Sequence, residues 1–216
     1  LTMEELIEDL KKLMRKSEVK KLVQSRIEEF TKMRKKDSLS WFKELVFCIL
    51  TANSRAELAL KCVEELEKRN LILNGSLSEV EIVLRRCGHR FARTRARYII
   101  EARSWSIKLK EALNNISSIQ GKRKWLIKNI KGIGMKEASH FLRNTGHLNV
   151  AIIDRHILGI LMAYNLVDPN IKGKTLTPRK YIEIENLIKR IAEKLDIEPG
   201  VLDLYMWYMN TGKVLK

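Results

Sequence analysis

The sequence predicts an all-α fold. Three observations lead there. Apolar residues recur at helical spacing through almost every segment, helix-start signals precede those segments, and no stretch alternates over enough residues to demand a strand.

Taken in order, Thr2 and Glu5 form a capping box ahead of Leu6, Leu10 and Leu13. A second helix is expected over 19–33, with Leu22, Ile27 and Phe30 facing inward. Asp37 or Ser38 opens a third, SWFKELVFCILTA, whose second half is nearly all apolar; such a helix belongs at the centre of a core. RAELALKCVEELEKRN follows, with Leu58, Cys62, Val63 and Leu66 at helical spacing. Asn74-Gly75 marks a turn, and Ser78 with Glu81 is expected to form another capping box. HRFARTRARYIIEARSWSIKLKEAL is basic first and apolar later, at Ile99, Ile100, Trp105 and Leu109. Thr177 as N-cap and Pro178 in the first turn start PRKYIEIENLIKRIAEKL, and PGVLDLYMWYMNTG closes the series. LNVAII (148–153) reads as buried extended chain, and 165–178 as the longest loop.

At 216 residues the chain can bury a substantial core. No apolar run approaches ~18 residues, so no membrane span is expected. The opening LTMEELIEDLKK is amphipathic and acidic, unlike a signal or transit peptide. Cys48, Cys62 and Cys87 cannot all pair and sit among apolar neighbours, which reads as free thiols in a reducing, intracellular setting (cytoplasm or nucleoid). No CxxC is present, so neither zinc nor an iron–sulfur cluster has a ligand set. A formal charge of +16 points to a polyanion, with nucleic acid the default partner and a lysine-rich solvated surface the bland alternative.

WLIKNIKGIGMKEASHFL fits a helix–hairpin–helix. Gly132 and Gly134 allow positive φ and close backbone approach, Ile133 anchors the turn in the core, and the second helix starts at once. Amides of its first turn then point outward and can bind a phosphate oxygen without reading sequence. The turn carbonyls can also hold a monovalent cation; otherwise no cofactor is called for. An ordinary helix–helix turn would share this Gly-x-Gly. In the second helix Ala138, Phe141 and Leu142 form the buried face, while Lys136, His140 and Arg143 share another. The helix N-terminus and nearby basic groups are expected to lower the pKa of Lys136, and a neutral amine is a nucleophile. Taken alone, Lys136 is one of 42 basic side chains. Asp154 ends the apolar run Val150-Ala151-Ile152-Ile153; it is placed to cap the helix that follows and to stabilise positive charge developing on a sugar.

GIGMKEASHFLRN followed by VAIIDRHIL resembles the helix–hairpin–helix superfamily of base-excision DNA glycosylases. WFKELVFCILTANSRAE, GHRFARTRARYII and the tail DLYMWYMNTGKVLK resemble its archaeal-type 8-oxoguanine DNA glycosylase/lyases, and the absence of cysteine after Cys87 sets the chain apart from relatives with a C-terminal four-cysteine cluster. The resemblance implies Lys136 and Asp154 as the catalytic pair. It implies Asn53, Arg90 and Phe91 at the duplex, with Gly132 and Gly134 on phosphate. For base recognition it implies Trp207 and the carboxylate of Lys216. Arg90, Arg93, Arg95 and Arg97 are then expected as a phosphate-facing patch, or else as a solvated face.

The implied architecture is a two-lobed helix–hairpin–helix glycosylase fold with a cleft between the lobes. Residues 1–36 with 146–216 make one lobe and 37–145 the other. The implied partner is double-stranded DNA containing 8-oxoguanine, met by a monomer. A glycosylase for another lesion in the same fold, or a non-enzymatic DNA-binding module, are the alternatives.

Overall fold

The computed structural model describes residues 1–216, and every regular element in it is helical. The chain divides into two compact units, Leu1–Lys32 with Leu142–Lys216, and Met33–Phe141. The limits implied by the resemblance, 36/37 and 145/146, lie a few residues further along. The observed ones fall inside helices, and side chains explain the shift. The carbonyl of Met33 accepts a hydrogen bond from Trp41 Nε1 (2.9 Å), which ties 33–36 to the middle unit. Arg143 pairs with Asp203 (2.9 Å), which ties 142–145 to the terminal one.

The middle unit is built on α3 (Ser38–Thr51), capped by Asp37 through the Ser40 amide. Its apolar sequence buries Trp41, Phe42, Leu45, Val46, Phe47, Ile49 and Leu50 almost completely. At roughly 1.5–3 kcal/mol per large apolar side chain, this helix organises the unit. It packs against α4 (Ala56–Lys68), α6 (Ala92–Ala102) and α7 (Leu109–Asn114), and α5 (Leu77–Arg86) packs on α6. Phe141 meets Trp41 edge-on at 5.9 Å. The capping box of α5 uses Ser76 and Glu79, not Ser78 and Glu81. Both pairs fit the pattern, but Gly75 at φ +84 releases the chain into a helix two residues earlier. Glu81 is left to bind Arg85 (2.7 Å) and Arg93 (3.4 Å).

In the terminal unit α12 (Pro199–Thr211) packs on α1 (Met3–Met14), α10 (Arg155–Ala163) and α11 (Pro178–Lys194). The Thr2–Glu5 capping box starts α1, and Thr177 with Pro178 starts α11. In α2 (Ser17–Lys35) Val19, Val23 and Phe30 are buried, whereas Leu22 is exposed. At 100° per residue Leu22 lies about 60° to one side of Val19 while the rest of the stripe drifts to the other. Of 148–153, Val150, Ala151, Ile152 and Ile153 are buried outside any helix as expected, whereas Leu148 is half-buried and Asn149 is exposed at a bend, where the chain still has to turn into the core. No second strand pairs with them; side chains and a helix start satisfy their backbone. Glu185 Oε2 accepts from Ala151 N (3.1 Å), Tyr181 Oη accepts from Ile153 N (3.1 Å) and donates to Ala151 O (2.7 Å), and Leu148 O accepts from Gly200 N (2.8 Å). This rigid buried segment delivers Asp154 to the start of α10.

Candidate active site

In the middle unit α8 (Ile119–Asn129) ends at an extended Ile130, and Gly132 reverses the chain at φ +84. A Cβ at position 132 would sit 2.6 Å from the Tyr98 ring, so both the backbone's hand and the ring packed on it require glycine. Ile133 is buried, as a hairpin anchor should be. Gly134 departs from expectation: its φ is not positive. Its amide donates to Glu137 Oε2 at 3.1 Å, and a Cβ there would approach the same oxygen to 3.2 Å. Glu137 thus takes one of the hairpin's amides. An acid three residues after the helix start is half a capping box, a signal the sequence reading passed over.

The second hairpin helix, α9 (Met135–Asn144), makes its first backbone bond from Ala138 N to Gly134 O (2.9 Å), leaving the amides before it turned outward. Lys136 stands on this first turn with its side chain 31% exposed and Nζ 3.5 Å from Glu137 Oε1. His140 and Arg143, expected on the same face, are buried. His140 meets Phe47 edge-on at 5.4 Å, while Arg143 lies over Phe30 at 4.7 Å and joins Asp203. Of the three, only Lys136 is open to solvent.

Asn53 follows α3 in the left-handed region (φ +55) with its side chain exposed. Phe91, at the start of α6, is also exposed, and the Arg90 guanidinium lies 4.7 Å from its ring. The arginine group is not one patch. Arg95 is buried and donates to the carbonyl of Ala52 (2.9 Å), because its position on α6 faces the core with Ala92 and Ile99. Arg90, Arg93 and Arg97 remain at the surface.

His89 is buried beside this segment. Its Nδ1 accepts from the Phe91 amide (3.2 Å), so Nε2 carries the proton and donates to Leu50 O (2.9 Å). Burial holds its pKa below the ordinary value, the Leu50 carbonyl opposes this, and the charges of Arg95 and Arg90 add to it. The native state therefore takes up the proton less readily than the unfolded chain. The stability this confers is full above pH ~6.5 and declines as pH falls from there towards the native pKa. The urea penalty of His89→Gln should accordingly be larger at pH 8 than at pH 5. An equal penalty at both would show that the neutral ring is not what matters.

In the terminal unit Asp154 caps α10: Oδ1 accepts from the amides of His156 (2.8 Å) and Ile157 (2.9 Å), and Oδ2 accepts from Trp207 Nε1 (3.0 Å). The structure thus brings together two residues the sequence separates by 53. Trp207 is half-buried, His156 packs edge-on against it at 5.2 Å, and Asn210 Nδ2 lies 2.6 Å from His156 Nδ1. Burial pushes the Asp203 carboxyl up to about 7, and Asp154 adds to this while Arg143 pulls the other way. Near the tail, Arg26 Nε holds the carbonyl of Val214 (3.2 Å), two residues before Lys216, which is partly buried. Lys136 belongs to the middle unit and Asp154 to the terminal one. No cluster of three or more His, Cys, Asp or Glu side chains suits a metal ion, and no helix is long and apolar enough to cross a membrane.

The helices and hairpin are those of the helix–hairpin–helix DNA glycosylases. The chain shares the fold of an endonuclease III–DNA complex (TM-score 0.63, 16% identity, 97% of this chain and 86% of that one). The finer assignment comes from closer relatives. The profile described as 8-oxoguanine DNA glycosylase matches residues 23–197, and the chain belongs to that family. The 8-oxoguanine DNA glycosylase/AP lyase of Methanocaldococcus jannaschii is 47% identical over 97% of both chains, and that of Korarchaeum cryptofilum 43% over 99% of both. A crystal structure of the M. jannaschii protein with a 15mer DNA containing 8-oxoguanine superposes with TM-score 0.91 at 45% identity, covering 98% of this chain and 99% of that one.

Proposed function

We propose that this protein excises 8-oxoguanine from duplex DNA and cleaves the abasic site it creates. The observation that carries this is the accessible amine of Lys136 on the first turn of α9, directly after the glycine hairpin. The choice of lesion follows the relatives that match the chain end to end.

In this reading the outward amides of the hairpin hold a phosphate, and Asn53, Arg90 and Phe91 act at the duplex where the nucleotide leaves the stack. Extrusion costs a few kcal/mol of unstacking, which a wedge such as Phe91 offsets. The amine of Lys136 gives up a proton and attacks C1′ of the deoxyribose. A C–N bond forms as the glycosidic bond breaks and the base departs with a proton. Asp154, with both oxygens held in place, stabilises the oxocarbenium-like charge. Ring opening yields a Schiff base, loss of a C2′ proton follows, and the 3′ phosphate is eliminated. Side chains and DNA supply all of this chemistry without a cofactor, and the hairpin carbonyls are the place for a monovalent cation.

The indole edge of Trp207 is engaged by Asp154, which fixes the ring that stacks on the base. Lys216 is assigned to base recognition beside it. The reaction belongs inside the cell, which suits three cysteines that form no disulfide.

The test is nicking of a panel of duplexes bearing 8-oxoguanine, uracil, thymine glycol or an alkylated purine. Cleavage confined to 8-oxoguanine is expected. Preference for another lesion would keep the fold's class of activity and overturn the assigned substrate.

A further inference from the structure

We propose that His89 and Arg95 are positioning residues that weld the loop carrying Asn53 and the turn carrying Arg90 and Phe91 into one preformed, two-pronged wedge. The inference rests on the proposed roles of Asn53 and Phe91 and goes beyond them.

The C-terminal carbonyls of α3 lack intrahelical partners and need others. Cys48 O is taken locally by Thr51 Oγ1 (2.8 Å). Thr51 O is likewise taken locally, by the Ser54 amide (3.0 Å), but two others are taken from far along the chain, Leu50 O by His89 and Ala52 O by Arg95. Both donors also grip the Phe91 turn. His89 Nδ1 accepts from the Phe91 amide, the Arg95 amide donates to Phe91 O (2.9 Å), and the Arg95 guanidinium lies 5.5 Å from the Phe91 ring. One imidazole thus bridges Leu50 to Phe91, and one guanidinium bridges Ala52 to the same residue. Asn53 follows the Ala52 peptide, and its left-handed backbone is a conformation that surrounding structure must hold.

Arg95 is a costly choice for a merely structural site. It is 7% exposed, and its Nε has no hydrogen-bond partner. A position that only needed filling would be served better by an aliphatic side chain. The guanidinium is explained by what it holds: a carbonyl on one side and an aromatic face on the other. It also lies 5.7 Å from the Tyr98 ring that packs on Gly132, so the clamp continues towards the hairpin. A wedge ordered before contact loses little conformational freedom on entering the duplex, so more binding energy goes into unstacking.

Two substrates test this: 8-oxoguanine paired with cytosine, and 8-oxoguanine in a single-nucleotide bulge where it is already unpaired. 2-Aminopurine beside the lesion reports unstacking independently of chemistry. Arg95→Met and His89→Leu should each slow single-turnover excision from the paired duplex by about tenfold or more, with a matching loss of fluorescence gain. The bulge should lose less than about threefold, and Arg95→Lys should recover part of the rate. In a Phe91→Ala background either substitution should cost less than about a further twofold, since both act through the same wedge. Equal losses on both substrates, or none on the paired duplex, would overturn the proposal. Should Arg95→Met not fold, His89→Leu decides alone by the same comparison. Unstacking by the wild-type protein without excision of any lesion would instead sink the proposed activity and leave the wedge standing.

Discussion

Lys136→Gln is expected to abolish borohydride trapping of the protein on duplex DNA containing 8-oxoguanine and to lower excision by at least about 10³-fold. Reduction by borohydride needs a Schiff base, and glutamine offers an amide of similar length with no nucleophilic lone pair. The fold should hardly notice. Lys136 is partly exposed on a first helical turn, its one ion pair is a 3.5 Å contact with Glu137, and glutamine is a comparable helix former. A stability change within roughly 0.5 kcal/mol is therefore anticipated, with DNA binding largely kept. A trap that persists undiminished in Lys136→Gln would remove this residue from the reaction.

Asp154→Asn should separate the capping role of this residue from its charge. The carboxylate has two acceptor oxygens and uses both, one on the His156 and Ile157 amides and one on the Trp207 indole. A carboxamide has one. With its oxygen turned to the helix, its NH₂ meets the indole N–H, donor against donor, at about 1–3 kcal/mol. Adding Trp207→Phe removes the opposing donor. Thermal unfolding of the four-member cycle should then show a coupling of about 1 kcal/mol or more, with the double variant less destabilised than the single losses would sum to. Excision should stay down by about 10²–10³-fold in both Asn variants, because the oxocarbenium-like charge has lost its counter-charge. Wild-type excision by Asp154→Asn would show that the carboxylate is not needed. Strict additivity would show that the indole bond does not constrain it.

Most of the architecture was legible in the residues because it rests on local rules. The 3.6-residue period, the Thr2–Glu5 box, the Thr177-Pro178 start and the left-handed Gly132 all act within a few positions, and each forms. Where two local solutions compete, sequence alone does not choose. Ser76–Glu79 and Ser78–Glu81 both satisfy the capping pattern, and the turn at Gly75 decides. Burial of charged side chains was illegible for a different reason. Arg95, Arg143 and His140 lie in basic or polar runs, and their inward orientation depends on partners 43, 60 and 93 residues away, at Ala52, Asp203 and Phe47. Periodicity reports which face is apolar; it does not report that a guanidinium on that face has a carbonyl waiting.

The chain's own order of residues thus determined an all-helical protein with a glycine hairpin, a lysine on the next turn and an aspartate at the following helix start, since those depend on backbone sterics and neighbouring amides. Tertiary structure alone decided that Trp207 donates to Asp154 and that His89 and Arg95 join two distant loops. These are hydrogen bonds between groups far apart in sequence. Their partners are chosen by packing, which no local propensity encodes.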